Sequence, residues 1–305
     1  MKLLLLSDLH ILDHNPIARL DDLTVTQYKK IKYILGRACD EKAYILQAGD
    51  FFDKQRAYLT LNEMSKILLK YVGKPVGIGV IFGQHDKYMY SKDTRKTNLG
   101  ILIASGLVNE LSSIPNGLDE EKNIAIYGAS WGEDVPEIQD ESKLNILIIH
   151  ASIGMSKVWN EQENLLYGIS FLREHKYDLI LCGDIHKKFT YSKDGRIIVN
   201  TGCMNRLNAS KDSMEHEPCF AWYDTETKEV TWEIIPHEPA DKVLSRDHIK
   251  DIEISEDILG DFTDSLSGEI DADLFEKNLN ELLEKETKEV KIELSKLREE
   301  CDNVK

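Results

Sequence analysis

The chain has 305 residues, of which 42% are hydrophobic and 30% charged, an ordinary composition that excludes wholesale disorder. No apolar run approaches the ~20 residues of a membrane-spanning helix. The five cysteines are scattered without a CxxC pair, so no disulfide framework or zinc knuckle is indicated. The leucine run at the start reaches Asp8 too soon for a signal peptide. We therefore expect a cytoplasmic protein of about two domains that does not bind membranes.

The net charge of −16 is concentrated at one end of the chain. Residues 251–305 hold 18 acidic and 7 basic side chains, a balance of −11 that leaves −5 for the first 250 residues. The overall acidity argues against a polyanionic substrate, but the larger part of the chain can still carry a basic face. The C-terminal fifth is predicted to be a separate module.

Short apolar runs alternate with helical patterns up to about residue 190. Residues 24–42 and 60–74 carry apolar side chains three and four positions apart and are predicted helices. Near-continuous apolar strands separated by helices predict an α/β fold with a sheet covered on both faces. The runs predicted to be strands are KLLLL (2–6), AYILQA (43–48), VGIGVIF (76–82), NIAIYGA (123–129), LNILIIH (144–150) and DLILCG (178–183).

Beyond these runs the pattern changes to hairpins, at 188–200 around an Asp-Gly turn and at 219–235 around a polar turn. We predict a first domain at 1–237, an acidic linker or short adaptor at 238–270, and an amphipathic helix at 271–305. This helix either packs on its own domain or docks onto a partner's helix.

Polar side chains able to bind metals directly follow five of the six predicted strands. Because the carboxyl ends of strands line the ligand crevice of an open α/β sheet, we expect these side chains to converge. Imidazoles with carboxylates suit manganese, iron or zinc, and a bridging carboxylate can hold two cations about 3.5–4 Å apart for in-line phosphoryl displacement. The side chains are Asp8, His10, Asp50, Asp53, Gln84, His85, Asp86, His150, Asp184 and His186.

The motifs SDLH, GDFFD, GQHD, a lone histidine after LII, and GDIH resemble those of the calcineurin-like metallophosphoesterases, which run DxH, GDxxD, GNHD/E, H and GHxH. The resemblance covers about residues 1–235. It implies a four-layer αββα sandwich, here with a short C-terminal helical extension. It also implies two divalent cations, with Mn²⁺ favoured over Mg²⁺, Fe²⁺ and Zn²⁺, and a metal-bridging hydroxide as the nucleophile.

The same resemblance implies roles for the site residues. His85 would protonate or stabilise the leaving oxygen and would be oriented by Asp53. Gln84 replaces the asparagine of the family motif, and Asp184 replaces the first histidine of GHxH. These departures are compatible with three alternatives: a two-metal site that prefers harder cations, a one-metal site, or a pseudoenzyme. We favour the two-metal site that prefers harder cations. The first metal would be held by Asp8, His10, Asp50 and His186, and the second by Asp50, Gln84, His150 and Asp184.

Four segments, LLLLSDLHI, GDFFDK, YDLILCGDIHKKF and VNTGCMNRLNAS, are similar to SbcD-type nuclease subunits, including bacteriophage versions. The similarity implies a Mn²⁺-dependent DNA exonuclease or endonuclease of recombination, repair or replication. Such a subunit would bind an SMC-like ATPase of the SbcC type through the C-terminal helix. A homodimer is also possible. Basic and aromatic side chains near the metal motifs are candidate substrate contacts. They are Lys87, Tyr88, Arg95, Lys187 and Arg206.

Two alternatives to a nuclease stay open at this point. The first is a phosphatase or cyclic-nucleotide phosphodiesterase of the same superfamily, which the low basic content favours. The second is a non-catalytic assembly subunit with an impaired second metal site.

Overall fold

The computed structural model describes residues 1–87, 93–115, 123–157 and 164–247. Tyr88, most of the predicted adaptor and the predicted helix at 271–305 lie outside the described residues.

Strands and helices alternate through the first part of the described chain. These elements are β1 (Lys2–Leu6), α1 (Leu23–Asp40), β2 (Tyr44–Gln47), α2 (Tyr58–Leu69), β3 (Gly77–Val80), α3 (Asn98–Ala104), β4 (Asn109–Glu110), β5 (Ile124–Ala129) and β6 (Leu144–His150). They are followed by β7 (Ile153–Gly154), β8 (Leu166–Tyr167), α4 (Gly168–Glu174), β9 (Leu179–Gly183), β10 (Phe189–Lys193), β11 (Arg196–Asn200), α5 (Lys211–Glu215), β12 (Cys219–Asp224), β13 (Val230–Ile234) and α6 (Ala240–Val243). All six apolar runs and both predicted hairpins are strands, so the α/β prediction is confirmed.

Two sheets face each other across the middle of the fold. The first has the order β13-β12-β1-β2-β3-β4, in which β1 to β4 are parallel and β12 is antiparallel to its two neighbours. The second has the order β10-β11-β9-β6-β5, in which only β10 runs antiparallel to its neighbour. A third, two-stranded parallel sheet is formed by β7 and β8.

The core explains why the fold has four layers. Alternate side chains of β1 point to opposite faces, so Leu3 and Leu5 pack between the two sheets, whereas Leu4 and Leu6 pack against α1 and α2. On the outer face of the second sheet, Leu147 of β6 packs with residues of α4. Each sheet is therefore covered by helices on its outer face, which confirms the αββα sandwich.

The residues just after the predicted 237 boundary pack on this fold. Val243 and Leu244 are buried, and Leu20 donates a backbone hydrogen bond of 3.0 Å to the carbonyl of Val243. Met1–Arg246 accordingly forms one compact unit. No helix among the described residues is long and apolar enough to cross a bilayer.

The parallel strands bring the predicted ligands to one end of both sheets. β1, β2 and β3 are neighbours in the first sheet, and β6 and β9 are neighbours in the second, with His150 in register with Gly183. The chain turns sharply where these strands end, because Asp8, Asp50 and Asp184 have φ values of 39°, 50° and 91°. Left-handed backbone is sparsely populated by residues other than glycine and is often found at functional sites.

Candidate metal centre

Three overlapping groups of side chains at this end of the sheets place ligand atoms within 4.8 Å of one another. They bring together residues from five separate stretches of the chain. The groups are Asp8, His10 and His186; His10, Asp50 and His85; and Asp8, Asp50 and His150.

Asp50 lies at the centre of the cluster. It is fully buried, and its Oδ2 lies 3.5 Å from His10 Nε2 and 3.4 Å from His150 Nε2. Its other oxygen, Oδ1, accepts a hydrogen bond of 2.9 Å from the backbone N–H of His85. One carboxylate oxygen thus faces one imidazole from each predicted metal set, as a bridging ligand requires.

His10 and His186 face each other with their Nε2 atoms 3.1 Å apart. Although His186 is exposed, desolvation by the groups packed around its imidazole, together with nearby His10, lowers its pKa to about 4. Its imidazole is therefore neutral at pH 7 and offers a lone pair. Burial alone would lower the pKa of His10, but Asp53, Asp50 and Asp8 raise it. A cation between the two rings would accept a lone pair from each.

His150 and Gln84 form the other half of the centre. His150 Nδ1 lies 2.7 Å from the carbonyl of Ala48, to which it donates, so a neutral His150 has its lone pair on Nε2. That Nε2 lies 2.8 Å from Gln84 Oε1, a second acceptor. Two acceptors at this distance need a proton or a cation between them. Without a cation, His150 keeps the proton, because Asp50 and Asp8 raise its pKa to about 10 against the effect of burial.

The orphaned polar atoms of the cluster show that it fits cations. Asp8 Oδ2 and Asp50 Oδ2 are buried without a hydrogen-bond partner. Burial raises the pKa of Asp8 to about 6. Buried carboxylates are costly unless paired or bound to metal, so the residues present suit a dinuclear cation site.

His85 contacts Asp53 through the main chain of Asp53. His85 Nδ1 donates a 2.8 Å hydrogen bond to the backbone carbonyl of Asp53, not to its carboxylate. The carboxylate lies beside His10 instead, 3.4 Å from Nδ1. The exposed His85 ring also meets the His10 ring edge-on, with centroids 4.8 Å apart. Asp53 therefore contacts both histidines, one through its main chain and the other through its side chain.

The two unusual residues, Gln84 and Asp184, contact each other. Gln84 Nε2 donates a hydrogen bond of 2.7 Å to Asp184 Oδ1, and the backbone N–H of Asp184 donates one of 3.0 Å to Asp8 Oδ1. Asp184 Oδ1 also lies 4.0 Å from His150 Nε2. Both departures from the family motif thus lie in one place, at the predicted second metal.

The predicted substrate contacts divide into exposed and buried groups. Lys187 is exposed, lies 3.6 Å from Asp212 and lines a cavity of about 580 Å³ that also borders Asp184 and His186. Arg95 is exposed and pairs with Asp93.

Two of these predicted substrate-contact side chains donate hydrogen bonds to main-chain carbonyls. Lys87 donates a hydrogen bond of 2.5 Å to the carbonyl of Trp131. Arg206 is buried and donates to the carbonyls of His216 and Glu238, at 2.8 and 2.9 Å. Two nitrogens of the Arg206 guanidinium are therefore used inside the fold, and its predicted substrate contact stays a prediction.

Two further residues support the site: Asp86, which the sequence placed among the side chains able to bind metals, and Ser152, which it did not indicate. The buried carboxylate of Asp86 accepts hydrogen bonds from the backbone N–H groups of Phe51, Phe52 and Gly83, at 3.0, 2.9 and 3.1 Å. It therefore ties the loop after β2 to the loop after β3. Ser152, two residues after β6, donates from Oγ to Asp184 Oδ2. The position of Asp86 in GQHD was a usable signal, whereas nothing in the local sequence marked Ser152.

An αββα sandwich with a carboxylate-bridged Asp and His cluster at the strand ends defines a metal-dependent phosphoesterase fold and site. Residues 1–188 match the calcineurin-like phosphoesterase family, and the chain belongs to that family. The family uses a dinuclear divalent metal site, and the Asp and His groups described above are able to bind metal.

Comparison with curated protein sequences gives no match. Solved structures give matches at low identity. The protein TT1561 of Thermus thermophilus is 12% identical over 77% of this chain and 99% of its own, with a TM-score of 0.49. An archaeal phosphodiesterase is 12% identical over 77% of this chain and 99% of its own, with a TM-score of 0.41. Vacuolar protein sorting 29 from Cryptosporidium parvum is 15% identical over 76% of this chain and 95% of its own, with a TM-score of 0.35.

Proposed function

We propose that the protein is a Mn²⁺-dependent DNA nuclease subunit that hydrolyses phosphodiester bonds at this centre and acts with an SMC-like ATPase in recombination, repair or replication. The observation that carries the hydrolytic part is the cluster bridged by Asp50 with His85 at its open side. The similarity of four sequence segments to SbcD-type subunits supports DNA as the substrate.

The residues suggest how hydrolysis proceeds. Two bound cations would supply Lewis-acid activation of the phosphoester and a water of lowered pKa. Asp8, His10, Asp50 and His186 would hold one cation, and Asp50, His150 and Gln84 would contribute to the other. Because His85 Nδ1 donates to the Asp53 carbonyl, the proton that His85 exchanges is on Nε2. That proton is available to the leaving oxygen of the substrate.

Basic side chains beside the centre support an extended anionic substrate. Lys187 and Lys188 line the same cavity as Asp184 and His186. Lys188 Nζ also lies 6.0 Å from the centre of the Trp232 ring. Exposed lysines near a metal-bound phosphate neutralise neighbouring phosphates, which gives binding that weakens with salt.

The ATPase part of the proposal rests on the sequence alone. The segment 271–305 lies outside the described residues and carries an apolar stripe on an acidic background. Such a helix fits a hydrophobic groove or a coiled coil of a partner.

The test is Mn²⁺-dependent digestion of linear duplex and single-stranded DNA by the full chain, with a small phosphodiester and a phosphomonoester assayed in parallel. His85→Ala should lose about 10²-fold or more in rate. His175→Ala is the matched control, because His175 ends α4 and packs on Phe171, away from the ligands. Equal DNA cleavage by wild type and His85→Ala would overturn the nuclease proposal.

Two outcomes would support the alternatives. Turnover of the monoester or of the small diester without DNA cleavage would favour a phosphatase or cyclic-nucleotide phosphodiesterase. Fewer than one bound Mn²⁺ per chain, with intact binding of the ATPase, would favour a non-catalytic assembly subunit.

A further inference from the structure

Four side chains form a continuous hydrogen-bonded chain along the second half of the centre. Ser152 Oγ donates to Asp184 Oδ2. Asp184 Oδ1 accepts a 2.7 Å hydrogen bond from Gln84 Nε2. Gln84 Oε1 in turn lies 2.8 Å from His150 Nε2.

This chain fixes which end of the Gln84 amide faces the centre. An ionised carboxylate only accepts hydrogen bonds, so the amide group beside Asp184 Oδ1 must be the NH₂. The opposite end, Oε1, is then held next to His150 Nε2. Glutamine has one more rotatable bond than the asparagine of the family motif, so holding this oxygen in place requires a partner for the rest of the amide.

Asp184 uses both of its carboxylate oxygens in this chain. Oδ2 is engaged by Ser152, and Oδ1 is engaged by Gln84 and lies 4.0 Å from His150 Nε2. Gln84 Oε1 is closer to that nitrogen by more than an ångström. Of the two unusual residues, Gln84 therefore presents the better-placed ligand atom.

We propose that Asp184 is not a ligand of the second cation but a positioning residue. Together with Ser152, it holds the amide of Gln84 so that Oε1 completes a ligand set with His150 and Asp50. The proposal rests on the metal-site part of the proposed function and is independent of DNA as the substrate.

The backbone at Asp184 makes a clean test possible. Its φ of 91° is one that glycine adopts freely and that asparagine tolerates better than most residues. Asp184→Gly therefore removes the carboxylate without backbone strain. Asp184→Asn removes the negative charge but keeps an oxygen that accepts from Gln84 Nε2, and its own NH₂ can donate to Ser152 Oγ.

The experiment counts Mn²⁺ per chain by equilibrium dialysis and elemental analysis, and follows Mn²⁺ titration by the EPR signal of the free ion. Wild type should bind two ions. Asp184→Asn should also bind two, with the weaker dissociation constant changed by less than about threefold. Asp184→Gly should weaken that second ion by about 10–100-fold, the usual effect of removing a residue that orients a ligand, and leave the first unchanged.

Ser152 gives an independent arm with a conservative rescue. Ser152→Ala should weaken the second Mn²⁺ in the same direction as Asp184→Gly, and Ser152→Thr should restore it because the hydroxyl is kept. The melting temperature in EDTA should be similar in all of these variants, which separates ligand positioning from a general folding defect.

Loss of the second ion in Asp184→Asn to the same extent as in Asp184→Gly would overturn the proposal, because the charge of Asp184 would then be what binds the metal. Wild-type affinity in Asp184→Gly, or a single ion in wild type, would overturn it as well. Two bound ions without DNA cleavage would leave it standing and remove the nuclease proposal instead.

Discussion

Replacing Gly83 by alanine should disrupt the metal centre, although Gly83 is not one of the predicted metal ligands. Gly83 starts the GQHD motif, and a Cβ added there would lie 2.0 Å from Asp50 Oδ1 and 2.3 Å from Asp50 N. Ordinary contact begins at 3.4 Å, so Asp50 N must move away by about 1.1 Å and Asp50 Oδ1 by about 1.4 Å. The backbone of Asp50 cannot rotate away as a flexible side chain could, so the bridging carboxylate itself has to move.

The size of the effect follows from that displacement. A misplacement of about 1 Å in a catalytic group can cost about 10²-fold in rate. Opening the loops would also strain the 2.9 Å bond from His85 N to Asp50 Oδ1. Overpacking of a tight interior costs about 1–3 kcal/mol, which for a unit of this size is a fall of about 2–12 °C in melting temperature.

The assay is Mn²⁺-dependent hydrolysis of a small phosphodiester, with Mn²⁺ per chain and the melting temperature measured on the same sample. Gly36→Ala is the matched control, since Gly36 lies inside α1 and its added Cβ meets nothing within 4 Å. The control should gain about 0.5–1 kcal/mol from helix propensity and keep full activity. A Gly83→Ala protein with wild-type metal content and rate would refute this account of the centre.

Three further predictions concern the rest of the unit. The hydrogen bond from Arg37 lowers the pKa of Glu233 to about 2 against the effect of burial. The ionised Glu233 therefore stabilises the fold above pH 4.5, and this contribution is lost as the pH falls toward 2. Glu233→Gln should lower the melting temperature at pH 7 but not near pH 2. Arg206→Ala should cost about 1–3 kcal/mol in a urea titration because it removes the hydrogen bonds that the guanidinium donates to the carbonyls of His216 and Glu238, whereas Lys187→Ala should change stability by less than about 0.5 kcal/mol. EDTA should lower the melting temperature, because Asp8 Oδ2 is buried without a hydrogen-bond partner and a bound cation would stabilise it. Mn²⁺ at about 100 times its dissociation constant should restore about 2.7 kcal/mol for each ion bound. A melting temperature that does not respond to Mn²⁺ would contradict the site.

The strands and the residues at their ends could be predicted because both depend on local sequence. A strand buried on both faces must be apolar along its length, so KLLLL and LNILIIH indicated β1 and β6 directly. Parallel pairing then places the next polar residues, such as Asp8, at one edge. The two-residue strands β7 and β8 gave no comparable signal, because so short a stretch has no period to detect.

The direction of individual side chains could not be predicted in the same way. The segment containing Arg206 suggested a phosphate contact, but its guanidinium reaches carbonyls 10 and 32 residues away in sequence. Asp53 was expected to orient His85, and the group that contacts the ring is its main-chain carbonyl, which the sequence could not specify. Both outcomes depend on which main-chain groups the fold leaves unpaired nearby, and spacing along the chain carries no information on this.

Gln84 and Asp184, the two departures from the family motif, contact each other. Two substitutions in contact are weaker evidence that the metal site has lost its function than two substitutions that lie apart. Taken singly, glutamine for asparagine at 84 lengthens a ligand, and aspartate for histidine at 184 removes an imidazole. In the fold, the carboxylate at 184 accepts from the amide at 84, so the second change supplies the partner that the first requires. Independent loss of function has no reason to produce this complementarity, and it would also be expected to degrade neighbours such as Asp8 or His150. Since those neighbours still lie within the cluster, the pair is better explained as one exchange of ligand geometry than as two losses.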